Sequence, residues 1–240
     1  MMRRFYAPPA NITETGVFLY VDETRHLRDV LRLREGDEAA VFDGEGREYS
    51  CRIDEITKTR SHLTILRAIS PAAPESSLDL ILAAAMLKGE KFDLVVQKAV
   101  ELGIYQLIPL ETARGDVKPK DAAKRLDRWR RIALEATKQC GRARLMKINA
   151  PMAFQGLIND LSAEDVVLFS ERDGDPFSRL EKAKHFVVLI GPEGGWDDVE
   201  LDAARSRGIR ILTLGGRILR AETAAISIAA IVQHRFGDLN

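Results

Sequence analysis

The chain has 240 residues, of which 45% are hydrophobic, and its 36 basic and 36 acidic side chains give a net charge of zero. This length and composition allow one large or two modest domains with a sizeable packed core, which excludes a disordered chain. The longest apolar runs are too short to span a bilayer and the start lacks the apolar core of a signal peptide, so we expect a cytoplasmic protein with no membrane contact.

Short stretches of β-branched and apolar residues fill the first part of the chain. They predict strands over 16–21, 38–43, 48–56 and 62–68, with glycine-containing turns between them. This spacing is typical of a small β-barrel. Arg25, Arg28 and Arg32 recur there at helical spacing, which suits either an exposed amphipathic turn or contact with RNA phosphates.

Two prolines and several small residues between 70 and 76 separate two different patterns. We therefore predict a first domain over 1–70, a linker over 71–76 and a second domain over 77–240. The second domain opens with a β-α-β pattern: a strand over 78–86, an apolar helical stripe ended by Gly103, and a strand over 104–110. A parallel sheet is the natural closure of that pattern.

A basic segment follows. Between Arg114 and Lys147 there are twelve Lys and Arg against four acidic residues, on a helix that we predict to begin at Asp121. Such a run is either a solvated helix face or a footprint for a phosphate backbone. Including basic residues elsewhere in the chain, the candidate RNA-binding residues are Arg3, Arg4, Arg25, Arg28, Arg32, Arg114, Lys124, Arg128, Arg131 and Arg142.

Two glycine-rich loops near the C-terminus each follow an apolar strand and precede a helix. The strand predicted over 186–190 leads into Gly191-Pro192-Glu193-Gly194-Gly195, and the strand over 209–214 leads into the loop over 215–220. Ligands of open α/β sheets bind beyond the carboxyl ends of strands, so two such loops indicate one shared pocket. The alternative is that the glycines only build tight turns, since neither loop has the dinucleotide or P-loop spacing.

The remaining elements support an α/β domain. A further strand is predicted over 166–170, and Asp197 with Glu200 forms a capping box for the next helix. The segment 224–236 is apolar on most sides, which predicts a helix buried in the sheet or against a partner. Two distant cysteines and four scattered histidines indicate neither a disulfide framework nor a metal site.

The two glycine loops, read as Gly-Pro-Glu-Gly-Gly-Trp at 191–196 and Leu-Gly-Gly-Arg-Ile-Leu-Arg-Ala-Glu-Thr-Ala at 214–224, resemble the paired signature of the RsmE methyltransferases. These members of the SPOUT superfamily methylate N3 of a uridine in 16S ribosomal RNA of the small subunit. Further matching segments lie at 3–6, 26–32, 42–46, 97–103 and 135–139, so the resemblance covers nearly the whole chain. One departure is Lys138-Gln139-Cys140, where the family more usually has Glu-Gln-Ser.

The resemblance implies a PUA-like RNA-binding β-barrel followed by a SPOUT-type α/β domain with a parallel sheet and a deep trefoil knot, although ordinary folding rules would forbid a knot. It also implies S-adenosylmethionine as cofactor, a homodimer, and 16S ribosomal RNA or the assembled small subunit as partner. Together with loop position it suggests the following cofactor-binding residues: Leu168, Phe169, Gly191, Pro192, Glu193, Gly194, Leu214, Gly215, Arg217, Ile218, Leu219 and Ala224.

Methylation at N3 of uracil requires loss of the imide proton and stabilisation of the charge that spreads onto O2 and O4. Arg220 is the strongest candidate donor to those oxygens, followed by Arg217. Glu193 and Glu222 are candidate proton acceptors, although Glu222 could equally stabilise a helix N-terminus, and positioning alone can supply much of the rate. Two alternatives stay open: a SPOUT ribose 2′-O-methyltransferase acting on tRNA or rRNA, and a noncatalytic RNA-binding assembly factor.

Overall fold

The computed structural model describes residues 2–117, 124–181 and 183–239. The chain divides into two compact units, Met1–Glu75 with Thr137–Leu145, and Ser76–Ala136 with Met146–Asn240. The change of unit between Glu75 and Ser76 lies within the stretch that we predict as a linker. The segment 137–145 was not expected in the first unit, because the domain boundaries predicted from sequence assume that each domain is continuous along the chain.

The first unit is built on one five-stranded sheet. Its strands are β1 (Arg4–Tyr6), β2 (Gly16–Leu19), β3 (Glu38–Phe42), β4 (Glu48–Ile56) and β5 (Ser61–Ile69), in the spatial order β1-β3-β4-β5-β2. The pair β1 and β3 is parallel and the other pairs are antiparallel. Helix α1 (Val21–Arg25) continues into a π-helical turn over His26–Val30. The four predicted strands are confirmed. Strand β1 was not predicted, because three residues are too few to show an alternation of polar and apolar side chains.

Arg4 explains why 137–145 joins the first unit. Its guanidinium bonds the Glu48 carboxylate at 2.8 and 3.0 Å, and it donates to the carbonyl oxygens of Thr137, Lys138 and Arg142 at 3.0, 3.0 and 2.8 Å. An arginine has five N–H donors, so all of them are used inside this unit. Bonds of this kind over 133 to 138 positions of sequence cannot be anticipated from local patterns.

Asp43 organises the turn between β3 and β4. Its buried carboxylate accepts hydrogen bonds from the backbone N–H groups of Glu45 and Arg47 at 2.7 and 3.0 Å and pairs with the Arg47 guanidinium. Burial by itself would raise the pKa of the Asp43 carboxyl, but these hydrogen bonds outweigh it, and the pKa lies below its ordinary value. The ionised carboxylate therefore stabilises the folded turn.

The second unit is built on a sheet whose described pairs are all parallel. Its strands are β6 (Asp79–Ala85), β7 (Gln106–Glu111), β8 (Lys147–Ile148), β9 (Met152–Ala153), β10 (Val166–Phe169), β11 (Asp175–Pro176), β12 (His185–Ile190) and β13 (Arg210–Thr213). The spatial order is β11-β13-β10-β12-β6-β7-β8, and β9 also pairs with β7. The five longer strands were predicted from sequence and are confirmed. The strands β8, β9 and β11 were not predicted, because two residues are too few to form a recognisable hydrophobic pattern.

Helices cover this sheet. They are α2 (Lys91–Glu101), α3 (Leu126–Cys140), α4 (Phe154–Asp160), α5 (Asp198–Ser206) and α6 (Ala221–Phe236), and the residues of α3 from Thr137 onward belong to the first unit. The predicted start of α3 at Asp121 lies outside the described residues. The predicted capping box is confirmed, because Asp197 accepts from the backbone of Val199 while Glu200 accepts from the backbone of Asp197. None of the described helices is both long enough and apolar enough to cross a bilayer.

The strand order brings the two glycine loops together. Strand β10 lies between β12 and β13, and Phe169 at its end pairs with Ile190 on one side and Leu212 on the other. Because the three strands are parallel, the loops after β12 and β13 leave the sheet at the same edge. This is the edge at which open α/β sheets bind ligands. The knot that the resemblance implies stays a prediction.

Candidate functional site

A cleft lies between the two glycine loops, at the carboxyl ends of β10, β12 and β13. Its empty space, including the solvent in its open mouth, is about 530 Å³. Most of its walls are apolar, and its charged side chains are one carboxylate and one guanidinium. The lining residues are Phe169, Ser170, Glu171, Ile190, Gly191, Pro192, Gly195, Trp196, Leu214, Arg217, Leu219, Ala221, Ala224 and Ile228.

Trp196 holds the first loop against the sheet. Its ring is 1% exposed, and its Nε1 donates to the carbonyl oxygen of Phe169 at 2.8 Å. A Cβ on Gly191 would lie 2.9 Å from Trp196 Nε1 and 3.0 Å from Cε2. Only glycine at 191 therefore lets the indole reach the end of β10, so this glycine shapes the cleft through packing.

The second loop is more open. Gly215 has a φ of 69°, in the left-handed region that favours glycine. Beyond it, Arg217 and Ile218 are exposed, and Ile218 is 85% exposed. The loop then enters α6, and Ala221, Ala224 and Ile228 face the cleft at helical spacing. The second loop and the first turns of α6 thus form one wall.

Seven of the twelve predicted cofactor-binding residues line the cleft: Phe169, Gly191, Pro192, Leu214, Arg217, Leu219 and Ala224. The other five do not. Leu168 is fully buried in the sheet, since alternate residues of a strand face opposite sides. Gly194, Gly215 and Ile218 lie on outer parts of their loops, and Glu193 is exposed.

Sequence reasoning missed the remaining lining residues, which are Ser170, Glu171, Ile190, Gly195, Trp196, Ala221 and Ile228. Two signals could have found several of them. Ser170 is the last residue of the strand predicted over 166–170 and Glu171 directly follows it, at the same sheet edge as the glycine loops. Ala221 and Ile228 lie on the same helical face as Ala224, which was predicted.

The two candidate proton acceptors have different surroundings. Glu193 forms an ion pair with Lys91 of α2 and is exposed outside the cleft, so neither its predicted cofactor contact nor its predicted catalytic role gains support. Glu222 lies in the first turn of α6, and its Oε2 is enclosed without a hydrogen-bond partner among the described residues. An unpartnered carboxylate oxygen is costly to bury, so Glu222 has an unmet capacity to accept a proton or hydrogen bond.

The two candidate arginines flank the entrance to α6. Arg220 occupies the N-cap position of the helix, is exposed, and makes no side-chain cap. Arg217 lines the cleft. Within the described parts of the chain, neither guanidinium forms a hydrogen bond or an ion pair. Both are therefore available to an anionic or carbonyl-bearing ligand.

The predicted RNA-binding residues of the first unit divide into exposed and internal ones. Arg3, Arg25 and Arg32 are exposed, as a phosphate contact requires, and Arg28 pairs with its neighbour Asp29. Arg4 and Arg142 are internal: Arg4 uses all its donors as described above, and Arg142 is 4% exposed and bonds the Glu75 carboxylate at 2.7 Å. Their prediction as RNA contacts is therefore corrected to a structural role.

In the second unit the basic residues are more accessible. Arg114 donates to the carbonyl oxygen of Gly194 at 3.4 Å and to Asp197 at 3.2 Å, beside the first glycine loop. Arg128 pairs with Asp93 at 2.8 Å and remains partly exposed. Lys124 is exposed two residues before α3, and Arg131 is exposed on α3. The predicted phosphate contacts at these four residues stay predictions.

The described residues contain no group of three or more His, Cys, Asp or Glu side chains that could hold a metal ion. The thiol of Cys51 is buried in the first unit, and burial raises its pKa to about 12. This thiol is therefore protonated and unreactive at neutral pH.

Comparison with known proteins gives matches along most of the chain. A family described as the RNA methyltransferase domain matches residues 74–233, and one described as the RNA methyltransferase PUA domain matches residues 19–66. Ribosomal RNA small subunit methyltransferase E of Synechocystis is 32% identical, over 96% of this chain and 77% of that protein. The enzyme of the same name from Bacillus subtilis is 28% identical, over 89% and 88%.

Solved structures agree. The crystal structure of ribosomal RNA small subunit methyltransferase E from Neisseria gonorrhoeae, bound to S-adenosylmethionine, superposes with a TM-score of 0.92 at 32% identity and covers 100% of both chains. A probable rRNA-methyltransferase from Porphyromonas gingivalis superposes with a TM-score of 0.84 at 25% identity and covers 97% of both chains.

Proposed function

Because this chain belongs to the ribosomal RNA small subunit methyltransferase E family, we propose that it transfers a methyl group from S-adenosylmethionine to N3 of a uridine in 16S ribosomal RNA. Methylation of small-subunit ribosomal RNA follows from the family, and the atom N3 is the finer part of the proposal. The observation that carries it is the cleft that both glycine loops form at the end of β10, flanked by Arg217 and Arg220.

The cleft fits S-adenosylmethionine. Its apolar wall includes Leu214, Leu219 and Ile228, which suit the faces of an adenine ring, and the loop backbones carry N–H and C=O groups for its polar edge. Gly191 contributes to the shape of this cleft, because the Trp196 indole occupies the place that a side chain at 191 would take. When bound, the cofactor supplies an electrophilic methyl group.

Arg220 and Arg217 are placed to stabilise the uracil base as its N3 proton is lost. The negative charge moves onto O2 and O4, and a guanidinium that has no internal partner can donate to these oxygens in a fixed direction. Arg220 is the stronger candidate because the N-cap position at the start of α6 holds its backbone, while its side chain stays exposed. Arg217 already lines the cleft and suits either the cofactor carboxylate or the base.

Glu222 is our candidate for the proton acceptor. Its enclosed Oε2 has no partner within the described residues, and the residue lies two positions after Arg220 in the same helix entrance. A carboxylate there can take the N3 proton directly or through one water molecule. The same carboxylate also stabilises the N-terminus of α6, so its loss should affect both rate and stability.

The partners follow from the same proposal. We expect residues 1–70 to act as the PUA-like RNA-binding domain and residues 77–240 as the methyltransferase domain, with 71–76 as linker. The substrate is 16S ribosomal RNA or the assembled small subunit in the cytoplasm.

We further propose a homodimer, supported by the apolar side chains of α6 that stay only half-buried, such as Ile226, Ala230 and Ile231.

Nucleoside analysis tests the proposal. The purified protein is incubated with S-adenosylmethionine and either naked 16S ribosomal RNA or assembled small subunits, and the RNA is digested and analysed by mass spectrometry. We expect N3-methyluridine in at least one of the two substrates. Ribose-methylated nucleosides would instead support the 2′-O-methyltransferase, and absence of both cofactor binding and methyl transfer would support a noncatalytic assembly factor.

A further inference from the structure

We propose that Glu171 anchors the cofactor by accepting hydrogen bonds from the ribose hydroxyl groups of S-adenosylmethionine. This inference rests on the proposed function, because it assigns a part of the cofactor to a residue of the same cleft. Glu171 follows β10 directly and is the one carboxylate among the residues that line the described cleft.

The backbone around Glu171 is fixed before any ligand binds. The N–H of Ser170 donates to the carbonyl oxygen of Leu212 at 2.9 Å, and the N–H of Arg172 donates to Ser170 Oγ at 3.2 Å. The side chain of Ser170 is itself buried. The position of the Glu171 Cα is therefore set by the sheet, which lowers the entropy that an anchoring contact must overcome.

The carboxylate of Glu171 is not neutralised by its surroundings. Its one ion-pair contact in the described chain is Arg172 Nε at 3.9 Å. The guanidinium of Arg172 makes its close bonds elsewhere, to Asp198 at 2.7 Å and to the carbonyl oxygen of Trp196 at 3.1 Å. Glu171 accepts no hydrogen bond within the described residues and is 38% exposed toward the cleft, so its acceptor capacity is open to a ligand.

The first glycine loop leaves space for this carboxylate. A Cβ on Gly195 would lie 2.7 Å from Glu171 Oε1, and Gly195 also has a φ of 69°. The missing side chain at 195 thus lets the carboxylate lie against the loop backbone, inside the cleft. Gly195 therefore has two roles: it allows the left-handed turn, and it leaves room for the Glu171 carboxylate.

We assign the ribose to Glu171 because this carboxylate lines the same cleft as the apolar residues Leu214, Leu219 and Ile228. The ribose is bonded directly to the adenine, so a carboxylate in the cleft that holds the adenine can accept hydrogen bonds from the ribose hydroxyl groups. A vicinal diol offers two O–H donors, which match the two oxygens of a carboxylate. The other charged side chain of the cleft, Arg217, has the opposite sign and suits the carboxylate at the far end of the cofactor.

Two ligands and three variants test the inference by calorimetry on the full chain. S-adenosylmethionine and 5′-methylthioadenosine both carry the ribose, but only the first carries the amino-acid group and the sulfonium charge. The variants are Glu171→Ala, Glu171→Gln and the control Glu164→Gln, which removes an exposed carboxylate before the opposite end of the same strand. Thermal unfolding of each variant shows whether it is folded, and Glu171→Gln serves if Glu171→Ala is not.

We expect Glu171→Ala to weaken the binding of both ligands by about tenfold to a hundredfold, the range for hydrogen bonds to a charged group, with Glu171→Gln intermediate and Glu164→Gln unchanged. Loss of affinity for S-adenosylmethionine alone would overturn the inference and assign Glu171 to one of the two positively charged groups of the cofactor, the sulfonium or the ammonium. Unchanged affinity for both ligands would overturn it as well. If the unmodified protein binds neither ligand, the proposed function itself fails, which is a separate result.

Discussion

Replacing Gly191 by alanine tests how the first glycine loop builds the cleft. The added methyl would lie 2.9 Å from Nε1 and 3.0 Å from Cε2 of the Trp196 indole, well inside van der Waals contact. The ring cannot yield easily, because it is buried, packs against Phe154 with ring centroids 5.2 Å apart, and donates to the carbonyl oxygen of Phe169. Either the loop or the indole must move.

The size of the effect follows from those contacts. Overpacking a well-packed site costs about 1–3 kcal/mol, and breaking the indole hydrogen bond would leave a buried donor unsatisfied at a cost of about the same size. For a protein of this length each kcal/mol lowers the Tm by roughly 2–4 °C. Since the moved loop also lines the cleft, we expect the Kd for S-adenosylmethionine to rise by about tenfold or more, equivalent to about 1.4 kcal/mol.

A matched control is available on the second glycine loop. A Cβ on Gly216 would have no atom within 4 Å, and Gly216 has no positive φ, so Gly216→Ala should leave the Tm nearly unchanged. Thermal unfolding and calorimetric titration with S-adenosylmethionine measure both quantities for each variant. If Gly191→Ala matches the unmodified protein in Tm and in cofactor affinity, the proposed packing of the indole is refuted.

Three further outcomes are expected. Arg220→Ala should lower single-turnover methylation of bound RNA by about 10²–10³, with lysine rescuing only part; a defect in RNA affinity alone would make Arg220 a binding residue. Hydrogen bonds keep the pKa of Asp43 below its ordinary value despite burial, so Asp43→Asn should lower the free energy of unfolding by about 1–3 kcal/mol at pH 7. The difference in this free energy between the variant and the unmodified protein should shrink as the pH falls through the pKa of the folded state. If urea unfolding shows the same difference at every pH from 7 to 2, the prediction is contradicted. A thiol reagent at pH 8 should spare Cys51 in the folded protein, because burial raises its pKa to about 12, and should react with it after denaturation. Peptide mapping separates Cys51 from the half-buried Cys140, and rapid labelling of Cys51 in the folded protein would show that it is accessible.

The elements that sequence reasoning found are those with a repeating local signal. The nine residues of β4, the apolar stripe of α2 and the capping box at Asp197 and Glu200 all depend on neighbours within a few positions. The family resemblance added the cofactor and the PUA-like unit, and the family matches confirm both the fold class and the methyltransferase assignment.

What sequence reasoning missed depends on contacts between distant parts of the chain. The role of Arg4 depends on carbonyl groups more than 130 positions away, and Glu193 pairs with Lys91, 102 positions earlier. A basic residue in a family motif looks the same in sequence whether it meets a phosphate or a buried carboxylate. Glu171 was not predicted because only the two glycine loops carry a sequence motif. The strand before Glu171, β10, has no motif, and its place between β12 and β13 in the sheet is set by the fold.

Mapping of the ribosomal RNA by mass spectrometry tests the central claim most directly. Small-subunit ribosomal RNA is isolated from cells with and without this protein, digested to defined fragments, and compared for added methyl groups. The proposed function predicts that one fragment of 16S ribosomal RNA loses a single methyl group in the cells that lack the protein, and that nucleoside analysis locates it on N3 of a uridine. Identical methylation in both samples, or a missing methyl group on a ribose, would contradict the claim.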